Sequence, residues 1–151
     1  MDQLTRRGQM ITQSSETIAY IAGLFDGEGC VSYKQVMKKR GKHPAYKTWD
    51  IRMEISMTEE SIIRWVHEVL KVGTVVKKPR KGLRKDGTKY LMQWKWRCTF
   101  RDAYYVCCLL WPYAHTKLPK INQIIAHYDP GTCGTYGNVV DLLKYKRDVK
   151  Q

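Results

Sequence analysis

Asp26 and Glu28 stand one glycine apart at the end of an apolar stretch, so that Ile21 to Gly29 reads I-A-G-L-F-D-G-E-G. Carboxylates are hard oxygen donors, the ligand type that Mg²⁺ and Ca²⁺ prefer. Small residues (Ala22, Gly23) lie among large ones (Ile21, Leu24, Phe25), a mixture that suits a closely packed helix face. Such a helix would carry both acids at its C-terminal end. A carboxylate at that negative pole is disfavoured by about 0.3–1 kcal/mol, so acids placed there imply a cation to offset them.

The elements that position these acids follow from periodicity. Ser14 or Ser15 can cap a helix from about Glu16 to Asp26, with Gly27 and Gly29 stopping it. Residues 30–39 read as a strand ending in the basic tip Lys38-Lys39-Arg40-Gly41-Lys42, and a turn near Pro44 follows. From Lys47 to Met57 the chain alternates, with Ile51, Met53 and Ile55 on one face and Thr48, Asp50, Arg52, Glu54 and Ser56 on the other. Helical spacing returns at about residues 59–71 and Gly73 ends that element. Residues 74–78 and 89–100 form a second hairpin, joined through an Asp86-Gly87 turn, in which Leu91, Trp94 and Trp96 are not all of one parity and imply a bulge or curvature. Helices are expected over residues 102–111 and 117–127, and a short one over 138–146 after a Gly-rich loop. Met1 to Gln13 is polar with little periodicity and reads as a loose arm. The order αββαββαα gives an α+β fold, an antiparallel sheet with helices packed on one face.

Size and charge narrow the partners. A chain of 151 residues can bury one good core, so a single domain is expected. Lys plus Arg number 27 against 14 Asp plus Glu, a net charge of +13 that favours a polyanion, with nucleic acid first. The longest apolar run, residues 103–114, is broken by Pro112 and too short to span a bilayer. There is no charged n-region followed by a cleavage site, so no secretory signal is expected. Five cysteines without a C-x-x-C pair fit reduced thiols and an intracellular setting, the cytoplasm of a microbe or an organelle matrix, and disfavour zinc. Cys107 and Cys108 read as packing residues. The four histidines have no metal spacing, and the tryptophans at 65, 94, 96 and 111 suit a core better than a base-stacking platform.

Ile21 to Gly29 resembles the signature of the LAGLIDADG homing endonucleases: the A-G-L centre, both acids and the final glycine hold, with Ile21, Phe25, Gly27 and Glu28 as conservative departures. The element order resembles that family's saddle-shaped sheet over residues 17–128, and only one such motif occurs, as in members that pair as homodimers on near-palindromic DNA. The resemblance implies a subunit interface along this helix, with Ala22, Gly23 and Asp26 in it and Asp26 in a structural or capping role. It implies that Glu28, with the Gly27 carbonyl, holds catalytic Mg²⁺ (roughly two or three ions shared by the paired sites of a dimer, with Mn²⁺ or Ca²⁺ substituting in binding). Trp111-Pro112-Tyr113 ahead of Lys117 resembles the family segment whose lysine lies near the scissile phosphates, which makes Lys117 catalytic alongside Glu28. Many relatives have a polar water-positioning residue, often Gln, at the end of the second strand, where this sequence aligns Met57, a side chain that orients water poorly. Either Ser56 or Thr58 substitutes, or the alignment slips by one, or activity is weakened.

A two-stranded ribbon fits the major groove, where side chains reach base edges. Ser32, Lys34, Thr48, Asp50, Arg52 and Glu54 would share that face, extended by Lys77, Lys78, Gln93, Lys95 and Arg97 from the second hairpin. Lys38, Lys39 and Arg40 lie at a loop tip and suit phosphates. The expected function is a Mg²⁺-dependent, site-specific endonuclease cutting double-stranded DNA as a homodimer and promoting intron or intein mobility. An intron maturase that binds intron RNA, or a catalytically silent DNA-binding regulator, would use the same fold. No membrane partner is expected.

Overall fold

The computed structural model describes residues 14–129, together with two short strands near the N-terminus, β1 (Gln3–Leu4) and β2 (Met10–Ile11), paired antiparallel. The arm expected over residues 1–13 is thus represented only by this ribbon, and the helix expected over 138–146 lies outside the described residues. The remaining elements are α1 (Ser15–Glu28), β3 (Gly29–Lys38), β4 (Tyr46–Met57), α2 (Glu60–Leu70), β5 (Thr74–Lys78), β6 (Gln93–Thr99), α3 (Phe100–Leu110) and α4 (Leu118–Tyr128). Over these residues the order is the αββαββαα read from periodicity.

Four strands form one antiparallel sheet in the order β3-β4-β6-β5. Its helix-facing side buries Val31, Ile51, Met53, Ile55, Trp96 and Cys98 against apolar stripes of all four helices. Because side chains alternate along a strand, burial of one parity leaves the other on the open face. Trp96 is the largest fully buried side chain; it packs edge-on against Phe25 of α1, and its indole N–H donates to the Val72 carbonyl at 2.9 Å. The other expected core tryptophans also stay off the open face. Trp65 meets Tyr20, and Trp94 lies on the helix side under Arg64 and Lys77. Strand β6 begins at Gln93, beyond Leu91, so the mixed parity there needs no bulge.

Two helix ends differ from their sequence expectation, for local reasons. Ser14 caps α1 through its hydroxyl, which accepts from the Thr17 N–H at 3.2 Å. The helix does not stop at Asp26 but runs through Gly27 and Glu28, and Gly29 ends it in extended backbone. A Cβ on Gly29 would lie 2.8 Å from Phe25 Cα and 2.9 Å from the Phe25 carbonyl oxygen. Only glycine therefore lets the chain pass from α1 into β3 with no intervening loop. In α2 the left-handed residue is Lys71 (φ 63°), while Gly73 (φ 88°) leaves room for Trp96 and the Arg97 carbonyl, each 2.7 Å from where its Cβ would be.

Gly29→Ala is expected to destabilise the fold by about 1–3 kcal/mol through overpacking. In the single chain Gly27→Ala, at a helical site with open space around the added methyl, is expected to be neutral or stabilising. Urea denaturation of the two variants checks this, and equal effects would contradict the close passage at Gly29.

Candidate active site and nucleic-acid interface

The direct α1–β3 passage fixes where Asp26 and Glu28 come to rest. Register pairs Gly29 with Ile55, so the end of α1 lies beside the end of β4. Asp26 points toward the turn between α3 and α4. Its Oδ2 accepts from the His115 N–H at 2.9 Å and its Oδ1 from the Lys117 N–H at 3.0 Å. Lys117 is the N-cap residue of α4, so Asp26 sits at the negative pole of one helix and the positive pole of another. The sequence implied a cation to offset this acid; two backbone donors supply the compensation instead. The same turn is braced from behind by the Trp111 indole N–H, which donates to the buried Asn122 Oδ1 at 3.0 Å.

Glu28 differs from Asp26. It is exposed, and its carboxylate has no hydrogen bond or ion pair among the described residues. Lys117, half-buried, stands at the start of α4 with its backbone N–H tied to Asp26 in the last turn of α1, the turn that ends at Glu28. Among the described residues no group of three His, Cys, Asp or Glu side chains could hold a metal. The oxygen donors one chain offers near Glu28 suit a hard cation but are too few to enclose one.

The helix side chains expected at a subunit interface separate. Ala22 is fully buried inside the protomer and has no surface to present to a second chain, because it faces the sheet with Ile18, Ile21 and Phe25. Asp26 is engaged with the α3–α4 turn, whereas Gly23 and Gly27 are exposed with nothing near them, next to an exposed Tyr20. The bare stripe is therefore Tyr20, Gly23 and Gly27.

On the open face of the sheet the register sets rows of neighbours. Lys34 faces Asp50, Ser32 faces Arg52, Cys30 faces Glu54, Val36 faces Thr48 and Lys38 faces Tyr46. The second hairpin adds Arg97 opposite Glu54, Lys95 opposite Ser56 and Gln93 opposite Lys78. Lys77 does not belong there. It pairs with Trp94, its ammonium lies 5.5 Å from that ring's centroid on the helix side, and its neighbour Lys78 takes the open face; consecutive strand residues cannot share one. Met57 likewise pairs with Trp94 and packs on the core, so the open-face polar group at the end of β4 is Ser56, one residue earlier.

The acids of this face are engaged. Asp50 accepts from the Ser32 hydroxyl at 3.0 Å and lies 3.7 Å from Arg52, and Glu54 accepts from Arg97. Lys38, Lys39 and Arg40 are exposed at the β3–β4 tip. The longer β5–β6 connection carries Arg80 and Arg84 over the Tyr90 ring at 4.2 and 5.9 Å. Stacking of that kind leaves guanidinium N–H donors free for phosphates. Its Asp86-Gly87 turn is closed by Thr88, whose hydroxyl and N–H donate to Asp86 and hold that carboxyl below the usual range.

Cys98, Cys107 and Cys108 are packing residues. Burial raises the Cys98 and Cys107 thiols, and raises Cys108 to about 11, so all three stay neutral and weakly nucleophilic at physiological pH.

Solved structures share this architecture. The homing endonuclease I-CvuI in complex with the I-CreI target aligns with a TM-score of 0.56 at 20% identity, covering 78% of this chain and 69% of that one. The group I intron-encoded homing endonuclease I-CeuI complexed with DNA gives 0.56 at 15% identity, covering 85% and 61%. The LAGLIDADG homing endonuclease I-LtrWI bound to target DNA gives 0.52 at 16% identity, covering 92% of this chain but 43% of its own. This chain therefore spans less than half of I-LtrWI. No family model matches the sequence, and no curated protein sequence matches it.

Asp26→Asn keeps the shape but turns one acceptor into an N–H donor facing a backbone N–H. It is expected to cost about 1–3 kcal/mol and to speed amide exchange at His115 and Lys117. Hydrogen exchange measured by NMR checks this, and unchanged protection at both amides would contradict the assigned tether.

Proposed function

We propose that this chain, which has the LAGLIDADG homing-endonuclease fold, is a site-specific DNA endonuclease that works as a homodimer with Mg²⁺ and serves intron or intein mobility. The observation that carries the reading is an uncommitted carboxylate at the end of α1, the helix end to which the start of α4 is tied. Glu28 is an exposed carboxylate with no partner among the described residues, and Lys117 is tied to the same helix end through Asp26.

An open antiparallel face carrying Lys34, Arg52, Lys95, Arg97 and Lys78 suits double-stranded DNA, and its mixture with Ser32, Thr48, Asp50, Glu54 and Gln93 suits discrimination among bases. The exposed lysines and arginine at the β3–β4 tip suit flanking phosphates.

Glu28 and the Gly27 carbonyl would hold the cation, completed by phosphate oxygens and by Glu28 of a second copy. Bound there, Mg²⁺ would neutralise charge on the phosphate and make a water more acidic. Lys117 would supply a positive charge at the scissile phosphate, and Ser56, beside Lys95 on the open face, would be the polar group that hydrogen-bonds water where Met57 cannot. Asp26 would act only by holding the Lys117 turn in place. Assembly draws on the bare stripe of α1: Gly23 and Gly27, four residues apart, let a second helix approach more closely than side chains would allow.

Incubating the protein with a randomised DNA-site library and Mg²⁺ is expected to give discrete double-strand breaks, and Glu28→Gln is expected to bind the same sites without scission. Equal cleavage by both proteins, or none by either, would defeat the assignment. Gly23→Leu is expected to convert the two-chain species to a folded single chain in sedimentation. A variant that still sediments as a dimer would remove α1 from the interface.

A further inference from the structure

Among the charged groups of the open face, one is held in a fixed direction. Arg97 and Glu54 are cross-strand neighbours on β6 and β4; the Nε–H of Arg97 donates to Glu54 Oε2 at 2.9 Å, and Nη2 forms an ion pair with the same oxygen at 2.9 Å. The Glu54 side chain is 19% exposed and that of Arg97 39%, so the pair is half-sunk in the open face of the sheet, with the arginine the more accessible partner. The row that contains them runs Thr74–Arg97–Glu54–Cys30, which puts a small uncharged side chain on either side and no rival ion in the row.

A guanidinium has five N–H donors in one plane. Glu54 Oε2 lies against the Nε edge, within 2.9 Å of both Nε and Nη2, which leaves the donors of Nη1 and of the outer side of Nη2. Those form the end-on fork, and its natural complement is a pair of adjacent acceptors. In the major groove guanine alone presents two, O6 and N7. Adenine offers one acceptor beside an amino donor, thymine a single acceptor and a methyl, and cytosine a donor. Arg52 is unlike Arg97: its Nε is buried with no hydrogen-bond partner, and its nearest carboxylate, Asp50, stands 3.7 Å away and is taken up by Ser32.

We propose that Arg97, braced side-on by Glu54, reads one guanine for each copy of the chain on the DNA, and that Glu54 is a positioning residue rather than a base contact. This rests on the DNA-binding reading above and adds to it a base, an edge and a division of labour. The sequence alone placed Glu54 among the side chains that reach base edges directly. With its oxygen engaged by Arg97 the acid instead costs the arginine its rotational freedom before DNA arrives, so less ordering remains for binding to pay.

Site selection from a randomised DNA library, with the intact protein in Ca²⁺ and the binding constants of single-base variants measured afterwards, tests the assignment. The unmodified protein is expected to prefer guanine at one position per half-site by about 5- to 150-fold. Arg97→Gln is expected to move that preference to adenine at the same position, since Gln pairs with the adenine edge. Glu54→Ala is expected to flatten it at that position only, and Glu54→Gln, which keeps an acceptor oxygen, to retain most of it. Thermal melting confirms that each variant is folded. If Arg97→Gln weakens every sequence alike and lowers the salt slope by about one, Arg97 contacts a phosphate and the inference fails. Sharp site selection by the unmodified protein that Arg97→Gln leaves unaltered also overturns it, while the DNA-binding reading stands. No binding to any DNA by the unmodified protein would defeat both.

Discussion

Two hydrogen bonds to one carboxylate hold the candidate site together. Asp26 reaches from the last turn of α1 to the amides of His115 and Lys117, across sequence separations of 89 and 91 residues. Hydrogen bonds to a charged group contribute about 1.5–3 kcal/mol each, enough to fix the start of α4 against the end of α1. Without that tie the turn carrying Lys117 would be free to move relative to Glu28. The acid that looks misplaced on its own helix is well placed for the next one, and this frees the second acid, Glu28, from any structural duty among the described residues.

The sheet supplies the other constraint, which is parity. One face of β4 is closed by Ile51, Met53 and Ile55, each about fully buried, so Asp50, Arg52, Glu54 and Ser56 have only the open side to occupy. The same rule sends Lys77 and Met57 to the helix side, whatever their chemistry would suit. A strongly basic chain thus presents a mixed face whose acids are already engaged by Ser32 and Arg97. That arrangement limits self-repulsion among cations and fixes the Nε edge of Arg97 against Glu54.

Much of this was legible in the sequence because period and punctuation agree. Alternation in β4, the amphipathic spacing of α2 and the serine before α1 each fix an element with little tertiary help. What was not legible depends on contacts between distant segments. The end of α1 was expected at Asp26 because Gly27 looks like a helix breaker; it is tolerated in the helix, and the stop is imposed at Gly29 by its closeness to Phe25. Ala22 and Gly23 look equivalent as small residues, but only packing reveals that one faces the core and the other is bare. The partners of Asp26 and the Arg97–Glu54 pair leave no trace in local spacing, whereas the Met57 alignment could have been questioned from parity alone. The resemblance that pointed to Glu28 and Lys117 named the residues, and the structure adds a tether from Asp26 to the Lys117 backbone.

The most direct measurement is the position of Mn²⁺, located by anomalous scattering, in crystals of the protein with a DNA site selected by it. The account requires density at coordination distance from the Glu28 carboxylate and a phosphate oxygen, with Lys117 of the same chain facing that phosphate. Density elsewhere on the protein, with Glu28 left facing solvent, would contradict it.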